Sequence, residues 1–124
     1  MRHSPLLPIV LVAGMALAAG CAPRNVSYAK EIQPLLTKYC SECHAPGKEG
    51  FTASGLETTS YDALMKGGKF GALVKPGDAF TSALNMLVEG RVDKSIRMPH
   101  GRKKLSDEEI AILKVWVDEG AKNN

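Results

Sequence analysis

The sequence predicts an all-α fold, and three observations support this prediction. Apolar residues between positions 27 and 39 recur at helical spacing. A segment near the C-terminus, residues 106–117, combines a helix-capping pattern with a broad apolar face. No segment alternates apolar and polar residues as a half-buried strand would. With 124 residues the chain is long enough for one domain, so these helices are expected to share one small core.

The first predicted helix follows Ser27, a residue suited to cap it. Its apolar stripe consists of Tyr28, Ile32, Leu35, Leu36 and Tyr39. Pro34 is unfavourable inside a helix because it lacks the backbone N–H and clashes with the preceding turn. Either the helix bends at Pro34, or a loose first turn precedes a helix proper that starts near it.

Two short helices are expected in the middle of the chain. Thr59 or Ser60 can cap the first, which the pair Gly67-Gly68 ends. The second runs roughly over residues 81–89 and stops at Gly90. The segment from Ala45 to Gly50 is predicted to be a loop because of its composition, and residues 75–78 a turn.

The last predicted helix has the clearest start, because Ser106 and Glu109 form a capping box. Its apolar residues leave only a thin polar strip at Lys114 and Asp118, and Gly120 ends it. So broad an apolar face predicts contacts on two sides, one with the first helix and the other with a cofactor pocket.

The segment Cys40-Ser41-Glu42-Cys43-His44 has the spacing of a c-type haem attachment sequence. Each thiol can form a thioether with one porphyrin vinyl group, and the imidazole of His44 can ligate the iron. A zinc site would need four ligands, and a thioredoxin-like pair would need strands before it. A plain disulfide would leave His44 without a role. We therefore predict one covalent haem c bound through Cys40, Cys43 and His44.

Met98 is the predicted second axial ligand of the iron. It lies 54 residues after His44, in a basic stretch without helical periodicity, and His100 is the competing candidate. With both axial positions filled, the iron would transfer electrons rather than catalyse a reaction. Three interpretations of the surrounding basic side chains stay open. They are simply solvated surface, or they form a docking site for an acidic redox partner, or Arg97 or Arg91 pairs with a haem propionate. The other basic residues are Lys94, Arg102, Lys103 and Lys104.

The N-terminus is predicted to be an export signal of the lipoprotein type, covering residues 1–20. A basic start precedes an apolar stretch from Leu6 to Ala19, which is too short to span a membrane. The segment Leu17-Ala18-Ala19-Gly20-Cys21 resembles a bacterial lipobox, so Cys21 is predicted to carry a lipid anchor. Ordinary cleavage after Ala22 is the alternative. Residues 21–26 would form a tether and residues 27–124 the folded domain, held at a membrane in the periplasm.

Together these segments resemble a bacterial monohaem cytochrome c of the small class I type, over roughly residues 27–121. The resemblance rests on the haem attachment sequence, the glycine turns, Arg97-Met98-Pro99 and the closing helix. It implies a cytochrome c fold in which the first and last helices cross and a few short helices surround one covalent haem. It also implies thioether bonds at Cys40 and Cys43, with His44 as the proximal ligand and Met98 as the distal one.

The resemblance implies an electron carrier rather than an enzyme, shuttling single electrons between redox proteins. The formal net charge of +3 gives no indication of nucleic-acid binding. One alternative is a haem domain whose sixth ligand is displaceable and which acts on peroxide or a gas. Another is a structural metal-binding module that uses Cys40, Cys43 and His44.

Overall fold

The computed structural model describes residues 24–124. The predicted signal peptide and Cys21 lie outside these residues, as does the start of the tether. The described part is helical and contains no strand, only an isolated β-bridge between Gly68 and Gly71. Its α-helices are α1 (Gln33–Tyr39), α2 (Glu49–Ser54), α3 (Tyr61–Lys66), α4 (Ala83–Glu89) and α5 (Asp107–Asp118). The prediction of an all-α fold is confirmed. None of the helices described has the length and apolarity needed to cross a bilayer.

The chain enters the domain through a π-helical turn, Tyr28–Ile32, that leads directly into α1. The Ser27 side chain caps this turn by accepting the Lys30 N–H at 3.3 Å. Pro34 falls in the first turn of α1, where its missing N–H costs least. The loose first turn followed by a helix proper is therefore the arrangement adopted.

Packing of the chain begins at Val26, inside the segment predicted to be a tether. Val26 is 2% exposed, and its N–H donates to the Glu119 carboxylate at 2.9 Å. The neighbouring Asn25 N–H donates to the same carboxylate at 2.9 Å. Val26 therefore packs with the domain although it lies in the segment predicted to be a tether.

The core forms where the two ends of the chain meet. The Tyr28 ring lies 5.7 Å from the Trp116 ring and 5.1 Å from the Tyr61 ring, measured between centroids. The Trp116 indole N–H donates to the Lys122 carbonyl at 3.0 Å, and the Tyr61 hydroxyl donates to the Ala121 carbonyl at 2.8 Å. Aromatic side chains bury much apolar area, and these hydrogen bonds satisfy their polar atoms.

Helix α5 has the predicted capping box and contacts two neighbouring elements. The Ser106 side chain accepts the Glu109 N–H, and the Glu109 carboxylate accepts the Ser106 N–H. Helix α5 packs on the π-helical turn, which belongs to the predicted first helix, and also on α4. The predicted contact with the cofactor pocket stays a prediction. The apolar face is narrower than predicted because Ala111 is exposed. Its buried residues are Leu113, Trp116 and Val117.

Helices α3 and α4 occur where they were predicted. The Ser60 side chain caps α3 by accepting the Ala63 N–H at 3.2 Å, and Gly67 ends the helix. Gly90 ends α4 with a φ of 73°, a conformation that favours glycine.

Helix α2 was not predicted. Its first two residues, Glu49 and Gly50, lie in the segment that was expected to be a loop. The helix buries no residue, so its sequence carries no amphipathic pattern that could have revealed it. It ends at Gly55, whose φ is 69°.

Candidate functional site

The predicted haem attachment sequence forms one tight turn that continues from α1. The Cys40 N–H donates to the Leu36 carbonyl at 2.8 Å, as in a helix. The Cys40 carbonyl then accepts the Cys43 N–H at 3.1 Å and the His44 N–H at 2.9 Å. We call residues 40–44 the attachment turn. Residues three and four apart share a face of such a turn, so the backbone carries Cys40, Cys43 and His44 on one side of it.

Both thiols of the attachment turn are free and half-buried. Cys40 packs against the hydrophobic core. Burial, with a smaller contribution from Cys43, raises the pKa of the Cys40 thiol to about 11. A neutral thiol in a poorly hydrated setting suits an apolar neighbour such as a porphyrin edge.

The imidazole of His44 is half-buried between the attachment turn and α2. Its Nδ1 atom lies 3.4 Å from Ser54 Oγ. Burial lowers the pKa of His44, and a backbone hydrogen bond with Leu56 acts in the opposite direction. Burial therefore favours the neutral ring, which is the form that binds a metal. Ser54 is the side-chain partner of the ring.

Helix α2 lies directly against the attachment turn. The Phe51 N–H donates to the Cys43 carbonyl at 3.0 Å. A Cβ atom at Gly50 would lie 2.8 Å from the Cys43 carbonyl oxygen and 3.0 Å from His44 Cε1. Only glycine permits this approach, so Gly50 allows α2 to press on the histidine ring.

Met98 lies in the connection between α4 and α5, which we call the distal loop (residues 91–105). Its N–H donates to the Leu87 carbonyl of α4 at 3.2 Å, and its side chain is half-buried. His100, the competing candidate ligand, is exposed.

An ion pair connects the distal loop to the attachment turn. Arg102 Nη2 donates to Glu42 Oε1 at 2.9 Å, and Arg102 Nη1 donates to the other carboxylate oxygen. Glu42 stands between the two cysteines, and Arg102 follows Met98 by four positions. Two segments far apart in sequence, each carrying a predicted axial ligand, are therefore in contact.

Three buried polar atoms have no hydrogen-bond partner among residues 24–124. They are both side-chain amide atoms of Asn85, which is 0% exposed, and Nε of Arg97. Asn85 lies on α4, and the Arg97 side chain packs against Gly90 at the end of that helix. Leaving a buried polar group unpaired costs about 1–3 kcal/mol, so a partner from outside residues 24–124 is expected.

A haem fits this set of residues. Its carboxylates would accept from the Asn85 amide nitrogen and from Arg97 Nε, while the attachment turn supplies two thiols and an imidazole. Sequence reasoning did not single out Asn85 or Ser54. The signal for Asn85 was a polar residue within the apolar run Ala83–Val88, whereas Ser54 belongs to a helix with no such pattern.

Residues 40–100 match the family model described as planctomycete cytochrome C. This match supports a cytochrome c-type domain. The matched segment begins at the first thiol of the attachment turn and includes Met98. No curated protein and no solved structure matches the chain.

A cytochrome c-type domain implies covalent haem c and haem-based electron transfer, as expected of an electron carrier rather than an enzyme. Within residues 24–124, no group of three or more His, Cys, Asp or Glu side chains is arranged to hold a metal ion.

Proposed function

We propose that the protein is a periplasmic electron carrier with one covalent haem c, ligated by His44 and Met98. The contact between the attachment turn and the distal loop, made by Glu42 and Arg102, is the observation that carries this proposal. It brings the two candidate axial ligands to neighbouring parts of the fold within the segment that matches a cytochrome c. When bound, the haem supplies an iron that cycles between the ferrous and ferric states.

Different residues of the chain would bind the haem and set its reduction potential. Cys40 and Cys43 would bind it covalently, and His44 would offer the lone pair of a neutral imidazole. Met98 would offer a neutral thioether, which favours ferrous iron and raises the reduction potential relative to a second histidine. The Asn85 amide nitrogen and Arg97 Nε would donate to the haem carboxylates and so gain hydrogen-bond partners.

The distal loop is the proposed docking surface for an acidic redox partner. Lys94, Lys103 and Lys104 are exposed, and none of them forms an ion pair with another residue of the described part. Ile96, which is 51% exposed, adds an apolar side chain to the same loop. Exposed basic residues around an apolar contact accelerate encounter with an acidic surface, and salt weakens that effect.

The proposed location follows from the N-terminal sequence. An export signal over residues 1–20 would deliver the chain to the periplasm, where c-type haem is attached in bacteria. Lipidation of Cys21 would hold the domain at a membrane, with its packed part beginning at Val26.

The proposed function is tested on full-length protein that has been matured in a bacterial periplasm. We expect a haem-staining band on a denaturing gel, one haem by intact mass, and a six-coordinate low-spin spectrum in both oxidation states. The same mass measurement reports whether Cys21 carries acyl chains. Colourless protein, with the Cys40 and Cys43 thiols free or joined to each other, would contradict the proposal.

A further inference from the structure

We propose that Ser54 is the positioning residue of His44 and fixes the ring with its proton on Nδ1 and its free lone pair on Nε2. This inference rests on the proposed ligation of haem iron by His44. It concerns how the chain presents that ligand, and it assigns to α2 a role that the sequence did not indicate.

The hydrogen bonds of the Ser54 hydroxyl determine which atom carries the proton. A hydroxyl has one donor and two acceptor sites. Ser54 Oγ lies 2.6 Å from the Gly50 carbonyl oxygen, which can only accept, so the hydroxyl proton is used there. Its Oγ also accepts the Leu56 N–H at 3.1 Å. Only an acceptor site remains for His44 Nδ1 at 3.4 Å, so Nδ1 must be the donor.

The surrounding backbone keeps Ser54 and the ring in this arrangement. The Phe51 N–H fastens α2 to the Cys43 carbonyl, and Gly50 lets the helix approach His44 Cε1. The Leu56 N–H donates to Ser54 Oγ at 3.1 Å and so holds the hydroxyl from the segment that follows α2.

A hydrogen-bond acceptor at Nδ1 affects the ligand at Nε2. It orients the ring and makes the imidazole a better electron donor, as partners behind metal-bound histidines generally do. A better donor stabilises ferric iron more than ferrous iron. Removing the hydroxyl is therefore expected to favour the ferrous state and raise the reduction potential.

The test compares Ser54→Ala with the wild type as matured, haem-containing protein. We expect the one-electron reduction equilibrium to shift about tenfold toward the ferrous state, or about 59 mV. We also expect the His44 Nδ1 proton of the diamagnetic ferrous protein to exchange with solvent at least about tenfold faster by NMR. Ser54→Thr keeps the hydroxyl and should restore both values.

A matched control is available on the same helix. Thr52 Oγ1 donates to the Lys48 carbonyl at 3.0 Å, the same backbone contact that Ser54 makes with Gly50, but on an exposed side of α2. Thr52→Ala should therefore leave the potential and the Nδ1 exchange rate at their wild-type values. If Thr52→Ala changes the potential and the Nδ1 exchange rate as much as Ser54→Ala does, weakening of α2 alone explains both changes. That result would overturn the proposal.

Other outcomes separate this inference from the proposed function. Covalent haem with wild-type potential and Nδ1 exchange in Ser54→Ala would overturn the role of Ser54 alone. Colourless matured protein would overturn the proposed function, and this inference with it. If Ser54→Ala does not fold, the proposal is tested on the wild-type protein by NMR. A nuclear Overhauser effect between the His44 Nδ1 proton and the Ser54 β-protons would support the proposal, and its absence would contradict it.

Discussion

The attachment turn and the distal loop are held in place by different means. In the attachment turn, the backbone N–H groups of Cys40, Cys43 and His44 all donate within helical geometry, and the His44 carbonyl accepts the Thr58 N–H at 2.9 Å. In the distal loop, Met98 donates one backbone hydrogen bond to α4 at 3.2 Å. The connection from the loop to the attachment turn is an ion pair between exposed side chains.

This difference means that the fold does not hold the two predicted axial ligands equally firmly. Exposed segments with few backbone hydrogen bonds open locally at low free-energy cost, whereas packed helical turns open only with the whole domain. His44 should therefore stay in place while the Met98 side of the site opens. That behaviour is what the alternative function requires, namely a sixth ligand that peroxide or a gas can displace.

The largest expected effect comes from replacing the distal ligand. Met98→Ala should abolish the methionine-to-iron charge-transfer band and lower the reduction potential, because the thioether that favours ferrous iron is lost. It should also let cyanide or carbon monoxide bind without competition. The fold should survive, since Met98 is only half-buried. Visible spectra, redox titration and ligand binding of the matured protein measure these changes.

The half-buried Met65 provides a matched control for Met98→Ala. It packs against the core, so Met65→Ala should lower stability and leave the charge-transfer band intact. An unchanged spectrum in Met98→Ala would show that another side chain ligates the iron, and His100→Ala would then identify or exclude the nearest candidate.

An intermediate effect is expected at Glu109, which contacts residues adjacent to both regions. Its carboxylate accepts from Lys38 Nζ at 2.9 Å and from the Tyr39 hydroxyl at 2.7 Å, immediately before Cys40. It also accepts the Ser106 N–H at 2.8 Å, just after the distal loop. The hydrogen bonds from Ser106, Lys38 and Tyr39 lower the pKa of Glu109 to about 2.

The lowered pKa of Glu109 fixes the sign of the pH dependence. The stabilisation is complete above the unfolded-state pKa of about 4.3 and is lost as the pH falls toward 2. Glu109→Gln should cost about 1 kcal/mol in the free energy of unfolding at pH 7 and less in acid. Denaturant unfolding at neutral and acidic pH measures this. Glu108→Gln, at an exposed position in the same turn, should have little effect, and equal losses would contradict the assignment.

Elements specified by local chemistry could be predicted from the sequence. The capping residues Ser60 and Ser106 and the stop at Gly90 all act within a few positions along the chain. The attachment turn is equally local, because its cysteines and histidine fall within five consecutive residues. The sequence therefore indicated four of the helices and the proximal half of the candidate site.

Features that depend on contacts across the fold were not predictable in this way. Helix α2 buries nothing of its own and is fastened by the Cys43 carbonyl, a partner that sequence periodicity does not reveal. The role of Ser54 follows from that docking. The contact between Glu42 and Arg102 likewise depends on how the distal loop returns to the attachment turn, and no local pattern encodes it.

The smallest expected effect tests the ion pair between Glu42 and Arg102. Arg102→Gln removes the connection between the distal loop and the attachment turn while leaving Met98 in place. We expect severalfold faster binding of imidazole to the ferric protein, because the loop opens more often, with the visible spectrum unchanged. High salt should accelerate binding to the wild type in the same way and should have much less effect on the variant, since the ion pair it screens is gone.

Lys103→Gln is the matched control for this last experiment, because it removes the same charge from the neighbouring position without breaking the ion pair. Its binding rate and salt dependence should equal those of the wild type. Glu42→Gln should reproduce the Arg102→Gln result from the other side of the contact. If Lys103→Gln and Arg102→Gln accelerate binding equally, the net charge of the loop governs its opening. The distal ligand would then be held by the backbone hydrogen bond to α4, and the two regions would differ less than their contacts suggest.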